Sequence, residues 1–169
     1  MHLPLQQLTG LLAIATSACA LAGPHEHGVA HLNLAIEAQS LEIAVKVPLE
    51  SLLGYERAPR SDAEKREAAA LLERFKKTQP VLALPAHCKE VAPAQVKAPL
   101  IEGQAGSAHG DLEAVYKLQC TQTSDWREID VTLFDVARRI SRVKAQIVGP
   151  QGQTQSVLRR NKRQLKIGR

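Results

Sequence analysis

Aromatic side chains are scarce in this chain: Tyr55, Phe75, Tyr116, Trp126 and Phe134 are the full set among 169 residues. Any core must therefore lean on Leu, Ile, Val and Ala. A membrane-length apolar run is also missing. The uncharged stretch from Leu8 to Ala22 is fifteen residues long, whereas a spanning helix needs roughly 20. That length suits the core of a secretory signal, and Ala20-Leu21-Ala22 supplies a small-x-small cleavage pattern. The expectation is a cleaved signal over residues 1–22 and a mature chain starting at Gly23. Lys and Arg are absent from Met1 to Gly10, which leaves His2 and the amino terminus as the only positive groups there. An uncleaved anchor is the competing reading. A lipoprotein signal through Cys19 fits less well, because Thr16 stands where an aliphatic residue is expected.

Catalytic signatures are absent too. The chain has no Gly-x-Ser-x-Gly elbow, no His-Glu-x-x-His zinc helix and no phosphate-cradling glycine loop. This argues against an enzyme.

Cysteine is sparse. Cleavage after Ala22 would remove Cys19 and leave Cys88 and Cys120. Two cysteines in an oxidising compartment usually pair, and closing a loop of about thirty residues stabilises by roughly 3–4 kcal/mol on the chain-entropy model. A disulfide is the favoured reading. Metal ligation by both thiolates is the alternative, with His87 beside Cys88 as its support and no Cys-x-x-Cys motif to strengthen it.

Residues 23–169 suffice for one domain with a real core. Leu32, Leu34 and Ile36 alternate with polar or small neighbours over His31–Glu37, and Leu41, Ile43, Val45 and Val47 repeat the pattern after a turn at Gln39-Ser40. A hairpin pairing Leu34 with Val45 gathers both apolar sets on one face, sets Glu37 opposite Glu42, and points His31 to solvent. Pro48 ends the second strand. Ser61-Asp62-Ala63-Glu64 is a capping box, so a helix is expected over 61–78, with Ala68, Leu71, Leu72 and Phe75 as its apolar stripe and Pro80 as its stop. Leu53–Arg60 reads as an irregular linker.

Further strands are expected at Leu112–Cys120, Ile129–Leu133 and Val143–Ile147. A turn at Gly149-Pro150-Gln151-Gly152 then leads to a returning strand over Thr154–Leu158, and Asp135–Ile140 reads as a helical turn. The fold class is α+β, mainly antiparallel sheet with one main helix, and a two-sheet sandwich is left open.

Histidines carry the most specific chemistry. His25, His27 and His31 follow the predicted cleavage site, and imidazole in a His-x-His-x-x-x-His pattern binds zinc or another divalent transition metal. A solvated tail without function is the bland alternative. His109 lies in the small-residue loop Glu102–Asp111 and His87 next to Cys88, so either is a candidate for a further ligand. Charge is uneven: Thr123 to the end carries eleven Lys or Arg against four acidic residues. In an exported protein this basic half suits an anionic envelope surface or acidic partner rather than nucleic acid. A solvated strand edge guarded against aggregation fits as well.

Taken in order, several segments resemble the ZrgA-type periplasmic zinc-uptake proteins. They are His25-Glu26-His27-Gly28, Leu53-Gly54-Tyr55-Glu56-Arg57-Ala58-Pro59-Arg60, Lys97-Ala98-Pro99-Leu100, Tyr116-Lys117-Leu118-Gln119-Cys120 and Gln146-Ile147-Val148-Gly149-Pro150-Gln151-Gly152-Gln153. The resemblance covers nearly the whole mature chain. It implies a non-catalytic periplasmic zinc binder that works with components of a zinc importer, and it carries the family's histidine start onto His25 and His27. The family usually has a long His/Asp-rich loop between its cysteines. Here that place holds Glu102–Asp111 with His109 as the sole histidine. Either one modest site is retained, or the scaffold serves another task. The leading expectation is a metal-binding accessory with His25, His27 and His31 as main ligands and His109 or His87 completing the set. The rival is an envelope interaction protein that docks through its basic C-terminal half.

Overall fold

The computed structural model describes residues 26–103, 110–121 and 126–167. The expected signal segment, His25 and His109 lie outside the described residues. The order is β1 (Val29–Glu37), β2 (Ser40–Pro48), α1 (Leu49–Leu53), α2 (Asp62–Phe75), β3 (Cys88–Glu90), β4 (Gln95–Lys97), β5 (Asp111–Cys120), β6 (Glu128–Asp130), α3 (Leu133–Val136), β7 (Arg142–Gly149), β8 (Gly152–Leu158) and β9 (Gln164–Lys166).

The large sheet runs β3-β5-β2-β1-β7-β8, with β4 also on β5. Period-two alternation decides its faces. Leu32, Leu34 and Ile36 of β1, Ile43 and Val45 of β2, Ala114, Tyr116 and Leu118 of β5, and Val143, Ala145 and Ile147 of β7 are all buried. Against this face pack Leu71 and Phe75 of α2, Leu133 and Phe134 of α3, and Ile129 and Leu165 of the small β6–β9 sheet, all in one core. The opposite face of the large sheet carries His31, Asn33 and Glu37 of β1, all exposed. Pairing is antiparallel everywhere except β1 with β7, which is parallel.

The first hairpin corrects the expected register. Leu34 faces Ile43 and Leu32 faces Val45, and the turn is Ala38-Gln39, with Ala38 at φ 43°. A shift of two positions leaves every side chain on its own face, so the apolar pattern fits both registers. The observed one avoids the Glu37–Glu42 pair and puts Glu42 between Ala35 and Lys117.

Helix α2 starts as the capping box requires. Ser61 Oγ accepts from Glu64 N, and the Glu64 carboxylate accepts from Ser61 N. It ends at Phe75, short of Pro80, where Thr78 N and Oγ1 donate to Glu90 Oε1 at 3.0 and 3.1 Å. Two other boundaries are corrected. The strand through Ile129 stops at Asp130, and Leu133–Val136 is helical, earlier than the expected turn over Asp135–Ile140. There Thr132 Oγ1 donates to Gln79 O at 2.6 Å and Leu133 N to Val81 O at 3.3 Å, which turns the chain out of the strand.

Candidate metal centre

The described candidate ligands, His27 and His31 on one side and His87 on the other, fall toward opposite ends of the large sheet. At one end β1 and β7 begin together, Val29 pairing with Arg142, while β2 ends beside the start of β5, Pro48 pairing with Asp111. At the other end Cys120 closes β5 opposite Cys88. With ten residues in β5, these ends lie about 30 Å apart.

His27 occupies the first end, in a turn where Val29 N donates to Glu26 O at 3.1 Å. Gly28 makes that turn with φ +71°, a conformation glycine adopts without steric cost, and a Cβ there would come within 3.2 Å of the Arg139 carbonyl oxygen. The His27 Nδ1 stands 3.7 Å from Glu50 Oε2; the imidazole is 67% exposed and the carboxylate 33%. Helix α1 holds Glu50 in place. Its Leu49 is buried and donates through N to Gly110 O at 2.5 Å, and Gly54 N caps Glu50 O at 2.8 Å. The backbone of Gly110, next in the chain after His109, is thus tied to the residue preceding Glu50. The Glu56 side chain covers Gly110 so closely that a Cβ would lie 2.2 Å from its Cγ.

His31 stands on the exposed sheet face, between Lys46 of β2 and Lys144 of β7. Partial burial pushes its pKa below the ordinary imidazole value, and Lys144 and Lys46 push the same way against Glu26 and Asp111. The neutral ring keeps a nitrogen lone pair free, but the two ammonium groups oppose an incoming dication. Its acidic neighbour is Glu26, which accepts from Lys144 Nζ at 2.5 Å and Arg142 Nη2 at 3.2 Å. The hydrogen bond from Lys144 is the main reason the Glu26 carboxyl lies below its usual range. Lys46 in turn pairs with Asp111 at 3.0 Å and Glu113 at 3.4 Å. Glu26 therefore serves the His31 side of the turn, while His27 is directed to Glu50.

His87 lies at the far end. Its Nε2 accepts from Trp126 Nε1 at 3.0 Å, which places the proton of the neutral ring on Nδ1. Neither nitrogen is then open to a metal without breaking this contact. Next to it Cys88 and Cys120 form a disulfide, with Cα atoms 4.1 Å apart, so their sulfurs are not thiolate ligands. Among the described residues no three His, Cys, Asp or Glu side chains group to hold a metal ion.

Glu50 and Trp126 were not foreseen as partners of candidate histidines. For Glu50 a signal did exist: Pro48 and Gly54 bracket α1 in the manner of helix termini. For Trp126, 39 residues from His87, nothing local points to the contact.

The whole of this framework falls within one family. A model described as ZrgA family zinc uptake protein matches residues 24–167. The chain belongs to the ZrgA family. No curated protein matches it significantly. The ZrgA match spans both sheet ends, the histidine turn and the disulfide alike, and ZrgA is a zinc uptake family rather than an enzyme family. An imidazole facing a carboxylate, as His27 faces Glu50, suits the nitrogen and oxygen preferences of zinc. Among the described residues of this ZrgA chain no helix is long and apolar enough to cross a membrane.

Proposed function

We propose that this ZrgA protein is a non-catalytic, periplasmic zinc-binding accessory of a metal importer. In this reading it is exported by a cleaved signal over 1–22 and folds as one domain over 23–169. Zinc is its cargo. His25 and His27 hold the metal together with Glu50, and His109 supplies a further nitrogen from the loop that ends at Gly110. His31 and His87 stay outside this set, the first because of its flanking ammonium groups and the second because of Trp126.

The observation that carries the reading is the approach of His27 to Glu50 beside Gly110, within a chain of a zinc uptake family. It joins three separate stretches of chain, with the His27 ring exposed, Glu50 half-buried and Gly110 buried. A site of few nitrogens that must order a chain terminus loses affinity to conformational entropy. Such a site favours handing zinc on over storing it, in keeping with the short Glu102–Asp111 loop.

Calorimetric titration of the mature protein with zinc tests this. One zinc per chain is expected, bound at least tenfold more weakly after His25→Ala with His27→Ala. Equal affinity in parent and double variant would refute the assignment.

A further inference from the structure

The two edges of the large sheet differ in how they meet solvent. On one side β5 is covered by β3 and β4, three residues each, and the link between them holds Pro93. On the other side β8 runs for seven residues, Gly152–Leu158, without a charge or a proline. Natural sheets usually guard such an edge with lysine, proline or a bulge, and β8 has none within it.

The hairpin register shows which backbone groups are free. Gly149 pairs with Gly152 across the two-residue turn Pro150-Gln151, and the ladder continues through Ile147–Thr154, Ala145–Ser156 and Val143–Leu158. Bonding to β7 alternates along these pairs, so the N–H and C=O groups of Gln153, Gln155 and Val157 aim away from the sheet. Among the described residues no backbone group bonds to them from that side. Val157 is 58% exposed. Beside it, on the open sheet face, lies a shallow depression of about 310 Å³ lined in part by His31, Lys144, Gln146 and Gln155.

Charge selects the occupant. Residues 136–169 contain ten Lys or Arg and no Asp or Glu. Arg163 is neutralised by Asp130 and Asp135, but Arg159 and Lys162, just past β8, are exposed and pair with no carboxylate among the described residues. A second copy of this chain would bring two such carboxylate-free blocks together. A lipid headgroup would satisfy the charges and ignore the backbone groups. We propose that β8 is a docking edge for an extended, acidic polypeptide segment of a partner protein, which adds to the sheet as a further strand. Main-chain bonds to Gln153, Gln155 and Val157 would hold it, and Arg159 and Lys162 would select its carboxylates.

The test uses the full mature protein and a labelled ten-residue peptide in which Glu alternates with Val and Thr. Binding is expected to weaken at least tenfold when alternate peptide nitrogens are methylated, since these can no longer donate to β8. Gln155→Pro, which removes an outward N–H and no bond to β7, should weaken it to the same degree. Arg159→Gln with Lys162→Gln should weaken it at least threefold and flatten its salt dependence. Equal binding of the methylated peptide overturns the proposal, and this arm stands even if Gln155→Pro does not fold. So does tight binding to phosphatidylglycerol vesicles, unchanged by Gln155→Pro, with no peptide binding. A reversible dimer in sedimentation that Gln155→Pro abolishes would give the edge to a second copy and overturn it equally.

Discussion

The Tyr116 hydroxyl donates to the Phe75 carbonyl at 2.8 Å, inside the core. It ties β5 to the last residue of α2, where a helix leaves carbonyl groups without helical partners. Tyr116→Phe would leave that buried oxygen unsatisfied and is expected to destabilise by about 1–2 kcal/mol, read from the urea midpoint. Burial, and secondarily Glu90, raises the Tyr116 pKa. Its phenolate absorbance should therefore appear only as the protein unfolds in alkali. An unchanged midpoint in the variant would show that the bond contributes nothing.

The Cys88–Cys120 disulfide closes a separation of 32 residues. Thiol labelling of the unreduced mature protein should give no signal. Cys88→Ser with Cys120→Ser should lower stability by about 3–4 kcal/mol on the chain-entropy model. Two reactive thiols in the native protein would contradict the bond.

At the start of α2, Glu64 receives both Arg57 Nη atoms at 2.7 and 2.9 Å, and Arg60 N at 2.6 Å. These contacts, the Arg57 hydrogen bonds first, hold its pKa at about 2 against an ordinary 4.5. The unfolded chain thus takes up a proton before the folded one does. The Glu64 contribution is complete above the ordinary value and is lost as pH falls through about 2. Glu64→Gln should flatten the acid limb of the stability curve in that window. Ser61→Ala, which removes the other half of the box, should cost about 1 kcal/mol at neutral pH.

Much of this fold was legible because its signals are local. The capping box at Ser61 and Glu64 and the alternation through β1, β2, β5 and β7 each declare an element from a few neighbouring residues. Strand direction is not local. The parallel pairing of β1 with β7 leaves the same period-two pattern as an antiparallel one, and the hairpin register was ambiguous by two positions for the same reason. Strands β3, β4 and β9 are too short to show a period. At the candidate site the donor type of His27 was readable, but its partner was not: Glu50 reaches it only through the tertiary contact of α1 with Gly110.

His31 offers a separate pH reading. Its pKa is lowered by partial burial and then by Lys144 and Lys46. Below the ordinary imidazole value the unfolded chain binds a proton that the folded chain resists, so stability should fall as pH drops below about 6.5. The loss should level off once pH passes the folded value. Lys144→Gln removes one repelling charge and leaves Glu26 held by Arg142 alone, and both changes raise the His31 pKa. Proton NMR of the His31 ring should show its midpoint move upward in that variant. A midpoint that stays put would mean the ammonium has no hold on it.

The zinc reading makes a sharper demand on Glu50 than on any single histidine. If Glu50 serves only as a weak surface partner of His27, an exposed contact at 3.7 Å contributes about 0–1 kcal/mol, and its loss would hardly alter metal binding. If it is an oxygen ligand, or a carboxylate that orients the His27 ring for the metal, Glu50→Gln should weaken zinc about 10–100-fold while the fold stays intact. His31→Ala should leave affinity within about twofold, because two ammonium groups already oppose a metal there. His87→Ala should also leave zinc affinity unchanged, and it should cost stability instead through Trp126. Titrations of the three variants side by side decide the matter. A large loss at His31 with none at Glu50 would move the metal to the open sheet face and end the assignment made here.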